Sequence, residues 1–184
     1  MRIICATLIV FSALLTTALR GQAPGKVSVD AVRALEGTWV LDLAKSGLTD
    51  ADAERRELTL GPTWLRMDLH RPADAPAMAL IYNLDGSTNV NAYGSRTAVT
   101  KLTRDGEYVV LETDFSVNGQ AVTLHERVPL VPGLDLPIEV MLRVEHGYQG
   151  VASAGAKTSP NVSTATKIFR KQPQPNAIGS RIDP

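Results

Sequence analysis

The sequence predicts an all-β protein, an antiparallel up-and-down β-barrel of eight to nine strands. Two observations carry that reading. Apolar and polar residues alternate with period two along most of the chain, and dipeptides that accept positive φ punctuate the alternation. The strand candidates are Gly37–Leu43, Glu57–Leu60, Trp64–His70, Met78–Leu84, Arg96–Thr103, Glu107–Ser116, Gln120–Leu130, Ile138–His146 and Thr164–Arg170. Asp85-Gly86, Asp105-Gly106 and Asn118-Gly119 lie between strands and suit tight type I′ turns. No intervening segment has the length and periodicity of a crossover helix, which argues against a parallel sheet.

Each strand has a recognisable apolar face. Trp39, Leu41 and Leu43 oppose Thr38 and Asp42 in the first strand, which follows a short helical turn over Asp30–Leu35. The segment Thr49–Arg56, with Asp50, Asp52 and Glu54 amid alanines and arginines, reads as a short helical turn or loop between the first two strands, its acids in solvent. Met78, Leu80, Tyr82 and Leu84 share a face. Val109, Leu111 and Phe115 oppose Glu112 and Asp114, and Val122, Leu124 and Val128 oppose Thr123, His125 and Arg127. Ile138, Val140, Leu142 and Val144 oppose Glu139, Arg143 and Glu145. With almost no helix to cover it, such a one-sided sheet curls into a barrel or folds over as a sandwich, and closure removes exposed edges.

The 184 residues hold 19 basic and 19 acidic side chains and are 44% hydrophobic, as expected of one globular domain. That balance provides no basic face for nucleic acid and no charge excess for an anionic membrane. Residues 1–23 are laid out as a secretory signal: Arg2, an apolar run from Ile3 to Leu19, then Gly21-Gln22-Ala23, with cleavage after Ala23 or Ala18. The other reading of this run is a membrane anchor, for which it is short against a hydrocarbon core of about 30 Å. Cleavage leaves no integral membrane span, removes Cys5 (the only cysteine), and implies a secreted or periplasmic protein without disulfides. The expected organisation is a lead-in at 24–34, a barrel at 35–171 and a disordered, proline-rich tail at 172–184, with a Gly/Ala/Ser-rich loop at 147–163.

The string Gly37-Thr38-Trp39-Val40-Leu41-Asp42, opening the first strand after a helical turn, resembles the entry motif of the lipocalin/calycin superfamily. It is also similar to the start of small exported bacterial lipocalin-like proteins. The resemblance implies that Trp39 closes one end of the barrel with a cation across its ring. Arg170 is the best match for that cation, with Lys167 and Lys171 as alternatives.

Chemical motifs are weak. His70 and His125 lie on polar faces and His146 at the end of its strand, so no metal site is expected. Asp50, Asp52 and Glu54 have the spacing of a calcium loop, but Arg55 and Gly61 occupy its glycine and glutamate positions. The Gly150–Gly155 segment around Ser153 lacks the spacing and context of a nucleophile elbow. Glu112 and Glu126 form the one candidate carboxylate pair, on neighbouring strands. No cofactor and no enzymatic activity are expected. The expected function is binding of a small hydrophobic molecule inside the barrel, against Met67, Leu69, Leu80, Tyr82, Leu111, Leu124 and Leu142, with Glu126 as the polar contact. The alternative is a ligand-free structural or protein-interaction barrel of the cell envelope.

Overall fold

Period-two alternation gives each strand a wet and a dry face, and ten such strands pair into one antiparallel sheet. The computed structural model describes residues 25–72, 77–93, 96–145 and 160–173. The strands are β1 (Gly37–Leu41), β2 (Arg55–Leu60), β3 (Trp64–His70), β4 (Met78–Asn83), β5 (Asn89–Tyr93), β6 (Arg96–Asp105), β7 (Tyr108–Val117), β8 (Gln120–Pro129), β9 (Asp135–Val144) and β10 (Asn161–Lys171). Their spatial order is β4-β3-β2-β1-β10-β9-β8-β7-β6-β5, an up-and-down meander in which the last strand returns beside the first. The signal region, His146, Ser153 and the tail from residue 174 lie outside the described residues.

The sheet has ten strands, against the eight to nine expected. The extra one, β5, escapes the pattern because Asn89 and Asn91 stand where alternation looks for apolar side chains. Asp85-Gly86 therefore joins β4 to β5 rather than turning a hydrogen-bonded hairpin, because those two strands are the edges of the sheet. Asn118 and Gly119 both have positive φ, at 52° and 78°, which gives the expected type I′ turn. At the β6–β7 turn only Gly106 has positive φ (59°), as in a type II′ turn, since Asp105 pairs with Tyr108 and ends the strand. Leu43 is not in β1, because Asp42 caps a helical turn over Leu43–Ser46 by accepting from the Lys45 amide.

The two sheet edges meet without a backbone ladder. The Ile81 N–H of β4 donates to Asn91 Oδ1 at 2.8 Å, and the Ile81 carbonyl accepts from Asn91 Nδ2 at 3.3 Å and Asn89 Nδ2 at 3.2 Å. The buried Asn91 amide, with one acceptor and one donor aimed at one residue, takes the part of a neighbouring strand's peptide group. Thr100 Oγ1 accepts from Asn91 Nδ2 at 2.8 Å and donates to the same Ile81 carbonyl. The seam is thus side-chain-sealed, which leaves fewer edge groups open to aggregation.

One end of the barrel is packed shut. Val27, Val32, Leu35, Leu84 and Leu130 are buried there around Trp39, so the segment read as a lead-in belongs to the core. Trp39 Nε1 donates to the Leu35 carbonyl at 2.8 Å. Lys171, not Arg170, supplies the cation: its Nζ lies 5.2 Å from the Trp39 ring centroid. Arg170 alternates to the outer face, where it pairs with Asp42. Gly37, at φ 125°, begins β1, and a Cβ there would meet the Lys171 stem at 3.0 Å.

Replacing Asn91 by Ala should leave the Ile81 amide without its seam partner and cost about 2 kcal/mol in denaturant unfolding. Hydrogen exchange at Ile81 should accelerate with it, and an unchanged midpoint would remove Asn91 from the closure.

Candidate ligand-binding site

Alternation within β2 carries inward parity from Leu58 back through Arg56 to Glu54, and within β10 from Phe169 back to Lys167. Charged side chains thereby enter the barrel from two strands, and Glu126 enters from β8 on the far wall. Arg56 is only 3% exposed, Glu54 4% and Glu126 1%. Arg56 Nε donates to Glu54 Oε1 at 2.5 Å and Nη2 to Glu126 Oε1 at 2.6 Å. Lys167 Nζ donates to Glu54 Oε2 at 2.8 Å. The Arg56 guanidinium also lies 4.6 Å from the Phe169 ring centroid, held between an aromatic face and two carboxylates.

The electrostatics follow from burial and pairing. Burial by itself raises the Glu54 pKa, but the charges of Arg56 and Lys167, and the hydrogen bonds they donate, outweigh it and hold the group down at about 2. Burial likewise works against charged Arg56, and the two carboxylates overcome it and raise its pKa further above the ordinary value. Tyr82 is pushed up by burial and by the Glu126 charge, so its hydroxyl stays protonated, hydrogen-bonded to Thr113 Oγ1 at 2.8 Å.

This charged cluster lies between two unlike halves of the barrel. Toward Trp39 the interior is packed. Toward the other end a cavity of about 220 Å³ remains, walled by Met67, Leu69, Met78, Leu80, Phe115 and Leu124. Arg56, Thr113 and Glu126 line it from within, while Arg71, Arg96 and Lys167 are its other polar neighbours. Arg71 is half-exposed, with Nε 3.7 Å from Glu54 Oε2. Glu126 Oε2 is buried and makes no hydrogen bond. A broader concavity on the outer wall, near Val110, Met141 and Thr166, is shallow and open.

Of the residues expected to contact a ligand, Met67, Leu69, Leu80, Leu124 and Glu126 surround this cavity. Tyr82 and Leu111 face inward but are spent in the packed core, and the half-buried Leu142 is not among the cavity walls. The charges of residues 49–56 point to solvent, yet Glu54 and Arg56 are buried. Their parity with Leu58 was the available signal, as parity with Phe169 was for Lys167. Glu112 does not pair with Glu126: it faces outward, with Oε2 3.4 Å from His125 Nδ1. Asp50 and Asp52 form a helical turn capped by Thr49, and Glu54 leaves them for the interior. No trio of His, Cys, Asp or Glu side chains converges as a metal site among the described residues. No described helix is long and apolar enough to cross a membrane.

The sequence matches no protein-family model and no curated protein. Among solved structures, an abundant heat soluble (SAHS) protein of Ramazzottius varieornatus superposes with a TM-score of 0.50 at 12% identity, over 76% of this chain and 96% of that one. Fatty-acid-binding protein 1 of Echinococcus granulosus gives 0.44 at 12% identity, over 76% and 98% of the two chains. A fatty acid transporter variant gives 0.43 at 13%, over 76% and 99%. At these identities the likeness to the first is one of fold.

Replacing Arg56 by Met leaves the buried Glu126 without its cation and Glu54 with Lys167 and the more distant Arg71, and should cost about 3–5 kcal/mol in denaturant unfolding. Acid dependence follows from the lowered pKa of Glu54. Its contribution to stability is complete above about pH 4.5 and is lost as pH falls toward 2. In a series of unfolding curves across that window, Glu54→Gln should flatten the loss by about 3 kcal/mol.

Proposed function

We propose that the protein is exported, to the periplasm or beyond the cell, and binds a small, largely apolar molecule in the open half of its barrel. The observation that carries the binding reading is the cavity itself, walled mainly by Leu, Met and Phe side chains, with Arg71 and Arg96 also lining it and a buried ionic floor at its end. Barrel diameter grows with strand number, and ten strands leave more interior than eight, whose side chains just fill it or admit one small ligand. A volume of about 220 Å³ lies below the range of about 300–1,000 Å³ typical of drug-sized pockets, which points to a compact ligand. Support for export comes from residues 1–23, with a positive start, an apolar run and small residues at its end.

A second reading has one observation in its favour. Val131 and Leu134, in the β8–β9 connection beside the packed end, are almost fully exposed and present an apolar tip. A protein-interaction barrel would use that tip and leave the cavity idle.

The binding reading is tested with 1-hexanol. At ten times its Kd it should stabilise the protein by about 1.4 kcal/mol and raise Tm by about 3–6 °C. Ala98 lines the cavity, and Ala98→Phe, which places a ring inside it, should abolish the shift. Equal shifts in both proteins would locate binding elsewhere. Export is tested by sequencing the mature N-terminus, expected to begin after Ala18 or Ala23.

A further inference from the structure

The charge around the cavity does not balance, and the surplus sits at its mouth. Arg56, Arg71, Arg96 and Lys167 line it against the single carboxylate of Glu126, and Glu54 behind them adds a second negative charge. Four cations against two carboxylates leave a surplus of two positive charges. Arg56 is engaged by Glu54 and Glu126, and Lys167 by Glu54. Arg71 reaches only the Glu54 oxygen that Lys167 already holds, and at 3.7 Å. Arg96, which also lines the cavity, is exposed and pairs with no acid among the described residues. The fold brings the two together: Arg71 follows the last residue of β3 and Arg96 opens β6, each one strand back from the seam between β4 and β5. Half-exposed guanidiniums need no ligand to be stable in water, but beside an apolar wall they set the potential that an entering head group meets.

Building on the binding reading above, we propose that the cavity takes a short-chain phosphate monoester tail first. Its chain lies against Leu69, Met78, Phe115 and Leu124, and its dianionic head is held at the mouth by Arg71 and Arg96. Above its second pKa of about 6, such a head carries close to two negative charges and three acceptor oxygens. It thereby matches the surplus, and planar guanidinium forks suit its oxygens in pairs. A carboxylate brings one charge and meets half of the surplus. A neutral head leaves both arginines to water, and an ammonium head is repelled by both. The head stays at the mouth because Arg56 and Lys167, deeper in, are already paired with buried carboxylates.

The experiment is a calorimetric series at pH 8 and low salt with hexyl phosphate, hexyl sulfate, 1-hexanol and inorganic phosphate. Hexyl phosphate should bind at least about tenfold more tightly than 1-hexanol, which has the chain alone, and than inorganic phosphate, which has the head alone. It should also bind about fivefold more tightly than hexyl sulfate, which has as many terminal oxygens and one charge fewer. In Arg71→Gln and in Arg96→Gln the preference for hexyl phosphate over 1-hexanol should fall about fivefold. Arg66→Gln removes an outward-facing arginine paired with Asp68 and should keep that preference, which separates contact at the mouth from net charge. Hexyl phosphate no tighter than 1-hexanol would overturn the proposal, and so would hexyl sulfate equal to hexyl phosphate. Inorganic phosphate as tight as hexyl phosphate would overturn it too, as the mark of an ion on the rim with no chain in the cavity. With 1-hexanol bound, each of those outcomes leaves the binding reading standing. If neither 1-hexanol nor hexyl phosphate binds, that reading and this proposal fall together. The unaltered protein decides the question even if a variant does not fold.

Discussion

An arginine placed inside a β-barrel must find carboxylates there or not be there at all. Arg56 finds two, Glu54 on its own strand approach and Glu126 across the barrel, and the arrangement of the interior follows from that requirement. The Arg56–Glu126 contact joins residues 70 apart in sequence, so β2 and β8 must face one another at a defined height. Lys167 brings β10 into the same cluster. A buried ionic group of this kind adds little net stability over an apolar replacement, because desolvating the ions offsets most of their attraction. Its effect is on specificity: once one member is buried, the others must arrive at bonding distance, which disfavours other registers.

The cluster also divides the interior. Below it, large side chains close against Trp39, whose indole is fixed by the Leu35 carbonyl and covered by Lys171. Above it, Leu, Met and Phe make most of the wall, Arg71 and Arg96 join them, and space remains. Packing both halves completely would leave a filled barrel, and leaving both open would forfeit the burial that a chain with few aromatics needs. A fixed polar floor under an apolar chamber satisfies stability in one half and leaves the other available for a ligand. The seam between β4 and β5 is sealed by the Asn91 amide without a covalent staple.

Much of this was legible in the chain. Hairpin spacing and alternation predicted an antiparallel barrel, and Trp39 was recognised as its end plug from the Gly-x-Trp context. What stayed hidden has a common physical origin, polar residues on inward positions. Glu54 and Arg56 read as solvent-facing because isolated charges belong in water; only the partner on β8, far away in sequence, makes their burial tolerable. Asn91 broke the apolar alternation of β5 because it replaces a backbone ladder, a role no local pattern announces. Tyr82 and Leu111 had the correct inward parity, but parity does not say how far along the barrel the packed half extends. Arg170 and Lys171 are adjacent and chemically alike, and the register of β10 against β1 decides which reaches the indole.

The central claim is that a buried charged layer separates a packed half of the barrel from an open one. Xenon occupies dry apolar cavities, and diffraction from crystals under xenon pressure tests the claim directly. Bound xenon should appear between Leu69, Met78 and Phe115, above an intact Arg56–Glu126 pair, with none on the Tyr82 side. Xenon beside Tyr82, or an Arg56 side chain turned out to solvent, would contradict it.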